Sequence, residues 1–234
     1  LGRGGSDYSA TLIGAAIDAS EVQIWTDVPG MLSADPRKVS TARVIPEVTY
    51  DEAQELAHFG AKVLHPRTIR PAVSAGIPVR ILSTFQPTNA GTVVRQGGQK
   101  QRIKATTSLK GLTMMTVDVP ELEDLAGVSA AVFHQLHIDQ VEIIAVQQSS
   151  SRRAMTFILD TLGAGCNVVL EKINAAIGDL EADIDCHDDV AVLAAIGEGA
   201  ANSPSSLAQL LAVLNRAGLS VLNATQQSSN AAMV

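Results

Sequence analysis

Through the first hundred residues, short apolar runs alternate with amphipathic stretches. Residues 8–19 are Ala-rich and place Leu12, Ile13 and Ala16 on one helical face, with Ser6 and Asp7 in front as a cap. Residues 22–25 form a short apolar run that reads as a strand, followed by a Val28-Pro29-Gly30 turn. Thr49-Tyr50-Asp51-Glu52 is a capping box that opens a helix to about Phe59, where Gly60 closes it. Residues 66–75 predict a further helix ended by Gly76, and residues 79–82 a strand. Strands alternating with helices argue for an α/β layer.

The pattern then changes. Residues 95–106 are polar, basic and glycine-containing, which is linker composition. Beyond them the chain repeats itself: Gln147-Gln148-Ser149-Ser150 recurs as Gln226-Gln227-Ser228-Ser229, and Ala145 matches Ala224 at the same offset. The apolar helical stretch Val128-Ser129-Ala130-Ala131-Val132-Phe133 parallels residues 207–214, and the strand at 113–117 parallels that at 190–196. Each copy reads strand, loop, helix, strand, polar Gln-Gln-Ser-Ser, as expected for two small duplicated α+β domains. Residues 152–159 continue the first copy as a strand, and the second copy stops where that strand should begin.

Composition sharpens this picture. Hydrophobic residues make up 46% of the 234 and aromatics only 3%, so the core must be built from Ala, Val, Ile and Leu. Such a composition suits helices on a sheet and disfavours aromatic stacking on single-stranded nucleic acid. The net charge of -7 is unevenly spread. Residues 1–110 carry 13 Lys+Arg against 9 Asp+Glu, and residues 111–234 carry 4 against 15. The basic part suits an anionic small molecule, and the acidic part argues against nucleic acid. No apolar run approaches the length of a membrane span and no signal peptide is visible, so the location expected is cytoplasmic. Cys166 and Cys186 lack a C-x-x-C spacing and read as two small buried hydrophobes in a reducing compartment. His134 and His137 have no accompanying carboxylate pattern and read as ordinary helix histidines, with no metal site.

Three segments could carry chemistry. Gly2-Arg3-Gly4-Gly5-Ser6-Asp7 leads into a helix, where glycines admit a close ligand and free N–H groups favour an anion. Arg3 adds a bidentate donor there, and Asp7 could orient a reacting carboxylate or accept from an ammonium. Thr26-Asp27 ends a strand, the place where open α/β sheets bind ligands, and Asp35-Pro36-Arg37 follows in the same loop. Lys62, after a helix-ending glycine, could neutralise a phosphate as a point charge. Taken singly, each has an ordinary structural explanation: a tight turn, a solvated loop, or a lysine at a helix C-terminus.

In combination the segments resemble the aspartate kinase family, on Leu1-Gly2-Arg3-Gly4-Gly5-Ser6-Asp7-Tyr8, Ile24-Trp25-Thr26-Asp27-Val28-Pro29-Gly30, Asp35-Pro36-Arg37 and Phe59-Gly60-Ala61-Lys62-Val63-Leu64-His65-Pro66, in the family's order and spacing. The branch resembled includes the bifunctional aspartate kinase–homoserine dehydrogenases. The resemblance implies the C-terminal half of an amino-acid-kinase α/β/α sandwich (residues 1–96), a linker (97–106) and two ferredoxin-like βαββαβ ACT domains (107–186 and 187–234, the second truncated). It implies ATP-dependent phosphorylation of the L-aspartate β-carboxylate, with Mg²⁺ accompanying ATP. Arg3, Ser6 and Asp7 would hold aspartate, with Asp7 the catalytic group. Thr26 and Asp27 would contact adenosine, and Arg37 and Lys62 the phosphates.

Gly127, Val128 and Ser129, placed in the loop before a helix, with Gln148 and Gln227, would hold an effector amino acid, threonine or lysine. A homo-oligomer formed through the ACT domains is implied, with neither nucleic acid nor membrane as partner. The sequence departs from the family at Leu32, where Tyr is common, and at Arg152 and Asn230, which stand at or near glutamate positions. The family's Lys-Phe-Gly-Gly segment is not in this chain, so the chain alone is expected to be inactive. An amino-acid-sensing module without catalysis is the alternative, and it would need no Thr26-Asp27 and Lys62 constellation.

Overall fold

Thr49 opens the helix that the sequence marks most clearly. In the computed structural model, which describes residues 5–61, 63–97, 103–121, 124–149, 151–197, 199 and 204–225, the Thr49 side chain accepts from the Glu52 N–H and Glu52 Oε2 accepts from the Thr49 N–H. This reciprocal box starts α2 (Tyr50–His58). The chain divides into two units, one holding residues up to Ser108 and from Leu193 onward, the other Leu109–Val192.

In the first unit, α1 (Gly5–Ala16) leads to β1 (Val22–Thr26), β2 (Glu47–Thr49) and α2. A single 3₁₀ turn (Pro66–Thr68), α3 (Arg70–Ala75), β3 (Val79–Ser83) and β4 (Thr92–Arg95) follow. The sheet order is β1-β3-β4-β2, with β1 parallel to β3, β2 parallel to β4, and β3 antiparallel to β4. Val48, Val79, Ile81, Val94 and Ala72 are fully buried, an aliphatic core as the composition requires.

Three expectations are corrected here. Ser6 and Asp7 lie inside the first turn of α1, not before it, and α1 stops short of Ala19 because Asp18 takes a left-handed φ of 49°. The stretch 66–75 is broken into a 3₁₀ turn and α3, since Pro71 offers no N–H and its ring would crowd the carbonyl of Arg67. Strands β2 and β4, of three and four residues, were not anticipated; they are too short to display an alternation.

The second unit is built on β5 (Ala105–Asp118), α4 (Leu125–Ile138), β6 (Glu142–Ser149), β7 (Ala154–Asp160), α5 (Gly165–Ile177) and β8 (Asp183–Ile196). The order β6-β7-β5-β8 of this βαββαβ chain is the ferredoxin-like arrangement. Its core interleaves Met115 and Val117 of β5 and Met155, Phe157 and Leu159 of β7 with two helical stripes. Val128, Val132 and Leu136 of α4 recur every four residues, and Val169, Ile173 and Ile177 do the same on α5. Phe157, 0% exposed, meets Phe133 edge-on with ring centroids 5.3 Å apart.

The strand expected at 190–196 is the end of the longer β8, and the helix expected at 207–214 is α6 (Pro204–Arg216). The strand anticipated after α6 is absent over the described residues 217–225. Gln226-Gln227-Ser228-Ser229 lie outside the described residues.

The cysteines are also corrected: Cys166 and Cys186 form a disulfide, with Cα atoms 5.8 Å apart. A spacing of 20 residues gives no sequence signal, but the fold brings the first turn of α5 onto β8. Asp188 of β8 reinforces that junction by accepting the Cys166 N–H and the Thr113 hydroxyl. These bonds, the Cys166 N–H foremost, hold the Asp188 carboxyl below its usual range. Closing a loop of this length is worth about 3 kcal/mol. A Cys186→Ser variant should therefore lose a comparable amount in urea titrations, and reductant should destabilise the native protein but not the variant.

Candidate functional site

Thr26 ends β1, and its carbonyl accepts both the N–H and the hydroxyl of Thr84, which follows β3. The parallel β1–β3 pair thus delivers Thr26, Asp27, Ser83 and Thr84 to one carboxyl edge. Thr26 Oγ1 donates to Asp27 Oδ1 at 3.0 Å, orienting an exposed carboxylate. Thr84 was not singled out from the sequence, because a lone Ser-Thr pair after a strand has the composition of any loop.

The long loop after Asp27 is closed on itself. Leu32 bridges Val44, the Ser33 N–H donates to the Arg43 carbonyl, and the Ile45 N–H donates to the Met31 carbonyl. At its tip Asp35 accepts three bonds from Arg37: the backbone N–H at 2.9 Å, Nε at 3.0 Å and an Nη at 2.9 Å. The Arg37 side-chain bonds, ahead of the backbone one, hold the Asp35 carboxyl down to about 2. Aspartate thus caps the turn and also points an 88%-exposed guanidinium side chain into solvent. Arg37 is presented for an anion in a fixed orientation, with part of its donor fork already engaged.

Ser6 and Asp7 sit together on α1, Ser6 Oγ 3.4 Å from Asp7 Oδ1, where a negative charge suits the positive end of the helix dipole. Arg3 and Lys62 lie outside the described residues, as does Gln227.

In the second unit two of the effector candidates each neighbour Met155. Ser129 Oγ lies 2.9 Å from Met155 Sδ, and Gln148 is the cross-strand partner of Met155. Both therefore flank one residue at the exposed end of the β6–β7 pair. Gly127, Val128 and Ser129 are not in a loop, however. They lie within the first turns of α4, because Asp124 caps the helix through the Ala126 N–H at 3.0 Å. The Val128 N–H already donates to the Asp124 carbonyl, and the Val128 side chain is fully buried. Among the described residues no group of three His, Cys, Asp or Glu could hold a metal ion, and no helix is long and apolar enough to cross a membrane.

Residues 1–83 match the Amino acid kinase family. The bifunctional aspartokinase/homoserine dehydrogenase of Haemophilus influenzae is 34% identical over 234 residues, covering 98% of this chain. Lysine-sensitive aspartokinase 3 of Escherichia coli is 37% identical over 201 residues, 84% of this chain. The crystal structure of Clostridium acetobutylicum aspartate kinase matches the whole chain with a TM-score of 0.87 at 26% identity. Over its whole length the chain is similar to aspartate kinases. E. coli aspartokinase III, solved in complex with lysine and aspartate, also matches over the whole chain, with a TM-score of 0.78 at 32% identity. The chain spans 29% of the H. influenzae protein, 44% of E. coli aspartokinase 3 and 55% of the C. acetobutylicum chain. In aspartate kinase terms, the first unit carries the amino-acid-kinase match and the second has the ACT-type βαββαβ fold.

Proposed function

We propose that this chain is the nucleotide-side half of an aspartate kinase catalytic domain joined to its effector-sensing region. The reaction is transfer of the γ-phosphoryl group of ATP to the L-aspartate β-carboxylate. The Pγ–O bond to ADP breaks, a P–O bond to the carboxylate oxygen forms, and 4-phospho-L-aspartate and ADP leave. Such transfers depend on positioning and charge neutralisation more than on covalent help from the protein. The observation that carries the reading is the carboxyl edge of β1 and β3, where Thr26 and Asp27 stand ahead of the Arg37 loop.

Thr26 and Asp27 offer a hydroxyl and a carboxylate to the adenosine, and Arg37 and Lys62 offer cations to the phosphates. Arg3, Ser6 and Asp7 hold aspartate, with Asp7 nearest the reacting carboxylate. Mg²⁺ arrives with the nucleotide, whose phosphate oxygens are its preferred ligands. In the regulatory part, Gln148 and Ser129 beside Met155, with Gly127, Val128 and Gln227, take threonine or lysine. The domains divide at about residues 97–106 and 186–187. β6, at the edge of its sheet, leaves a row of backbone groups for pairing in a homo-oligomer.

Threonine or lysine should raise the melting temperature, and Gln148→Ala should reduce that shift. An absent shift with every aspartate-derived amino acid would remove the effector reading. In a coupled assay the 234-residue chain should show no turnover, and a robust rate would contradict its assignment as half of a site.

A further inference from the structure

The stretch 104–108, whose first three residues end the expected linker, makes more bonds than a linker needs. Lys104 Nζ donates to Glu52 Oε2 at 2.7 Å, with the two side chains 3% and 0% exposed. The Thr106 N–H donates to the Ser33 carbonyl at 2.9 Å. Thr107 Oγ1 donates to the Phe59 carbonyl at 2.8 Å, and Lys38 Nζ donates to Ser108 Oγ at 2.9 Å. From the other side, the Lys104 N–H is anchored on the Ile196 carbonyl at 2.8 Å.

The partners of these bonds fall in two groups. Ser33 and Lys38 stand on either side of Asp35 and Arg37 in the nucleotide loop. Glu52 and Phe59 are at the two ends of α2, and Phe59 begins the Phe59-Gly60-Ala61 segment that leads to Lys62. One short run of β5 therefore ties down both chain segments from which phosphate-binding cations come. A helix leaves its last carbonyls without donors, and Thr107 supplies one at the end of α2. Two cations on separate segments can neutralise one polyphosphate only if their spacing is held, and small misplacements are costly.

We propose that Lys104, Thr106, Thr107 and Ser108 form a positioning clamp that sets the spacing of the Arg37 loop and the α2–Lys62 segment for nucleotide binding. None of the four need touch the nucleotide. The clamp rests on the nucleotide reading of this site, but its mechanical part can be tested separately.

Thr107→Val removes the hydroxyl while keeping shape and β-propensity, and it avoids the risk that a Lys104 variant does not fold. By isothermal titration, MgADP should bind Thr107→Val about 3- to 10-fold more weakly than wild type, as loss of one hydrogen bond allows. Thr107→Ser should restore the affinity. Amide hydrogen exchange in residues 33–38 and 59–61 should accelerate in Thr107→Val alone. MgADP binding of Thr107→Val within about twofold of wild type, or unchanged exchange in those segments, would overturn the clamp. If the wild type binds no MgADP, the nucleotide reading falls, and the exchange result still decides whether the clamp exists.

Discussion

Lys104→Met should destabilise the protein by about 3–5 kcal/mol, because it removes the ammonium bonded to a fully buried carboxylate. Glu52 is fully buried, and its Oε2 serves both the capping box of α2 and the Lys104 ammonium. The charge cannot relax to water where it sits. A double variant, Glu52→Gln with Lys104→Met, should recover much of the loss. Glutamine can still accept the Thr49 N–H, so the box survives, and a neutral pair carries no desolvation penalty of comparable size. Urea unfolding of the wild type, the two single variants and the double variant measures this as a coupling energy. Simple additivity of the two single losses would show that the ion pair is not the source of the effect.

Gly91→Ala is the second large effect. Gly91 enters β4 with φ of 66°, and a Cβ built on it would lie 2.0 Å from the Ile81 carbonyl oxygen, which is backbone of the adjoining strand β3. The left-handed conformation alone costs an alanine roughly 1–2 kcal/mol. Parting β3 from the turn adds an overpacking cost of about 1–3 kcal/mol. Gly76 provides the control: its φ is 69°, but nothing lies within 4 Å of an added Cβ. Gly76→Ala should lose only the conformational share, and the difference in denaturation midpoint between the two variants isolates the clash. Equal losses would mean that β3 and β4 yield to the methyl group without cost.

These two sites differ in how far the sequence reveals them. Glu52 is readable as a capping residue from Thr49-Tyr50-Asp51-Glu52, since that box is a local pattern with one geometric solution. Its second partner, 52 residues away, is not readable, because no local periodicity links Lys104 to α2. The same holds across the candidate site. Thr26 and Asp27 stand out because a strand ends there, whereas Thr84 becomes visible only when β3 is placed beside β1. In the second unit, Ser129 and Gln148 could be named as candidates only from the family resemblance. That both neighbour Met155 required the β6–β7 register, and the helical placement of Gly127 required the Asp124 cap.

By itself the sequence determined what depends on neighbours along the chain. That includes the capped helix α2, the apolar stripes of α4, the aliphatic core that follows from 3% aromatics, and the family motifs in their order. The tertiary structure alone decided what depends on long loops closing. It made β8 one continuous strand where a new repeat was expected to begin, and it joined Cys166 to Cys186. It also placed the end of an apparent linker as the start of β5, where the Thr106 N–H bonds the Ser33 carbonyl. Hydrogen bonds and ion pairs between distant residues are satisfied by whichever groups the fold brings within reach, and reach in space is not written in spacing along the chain.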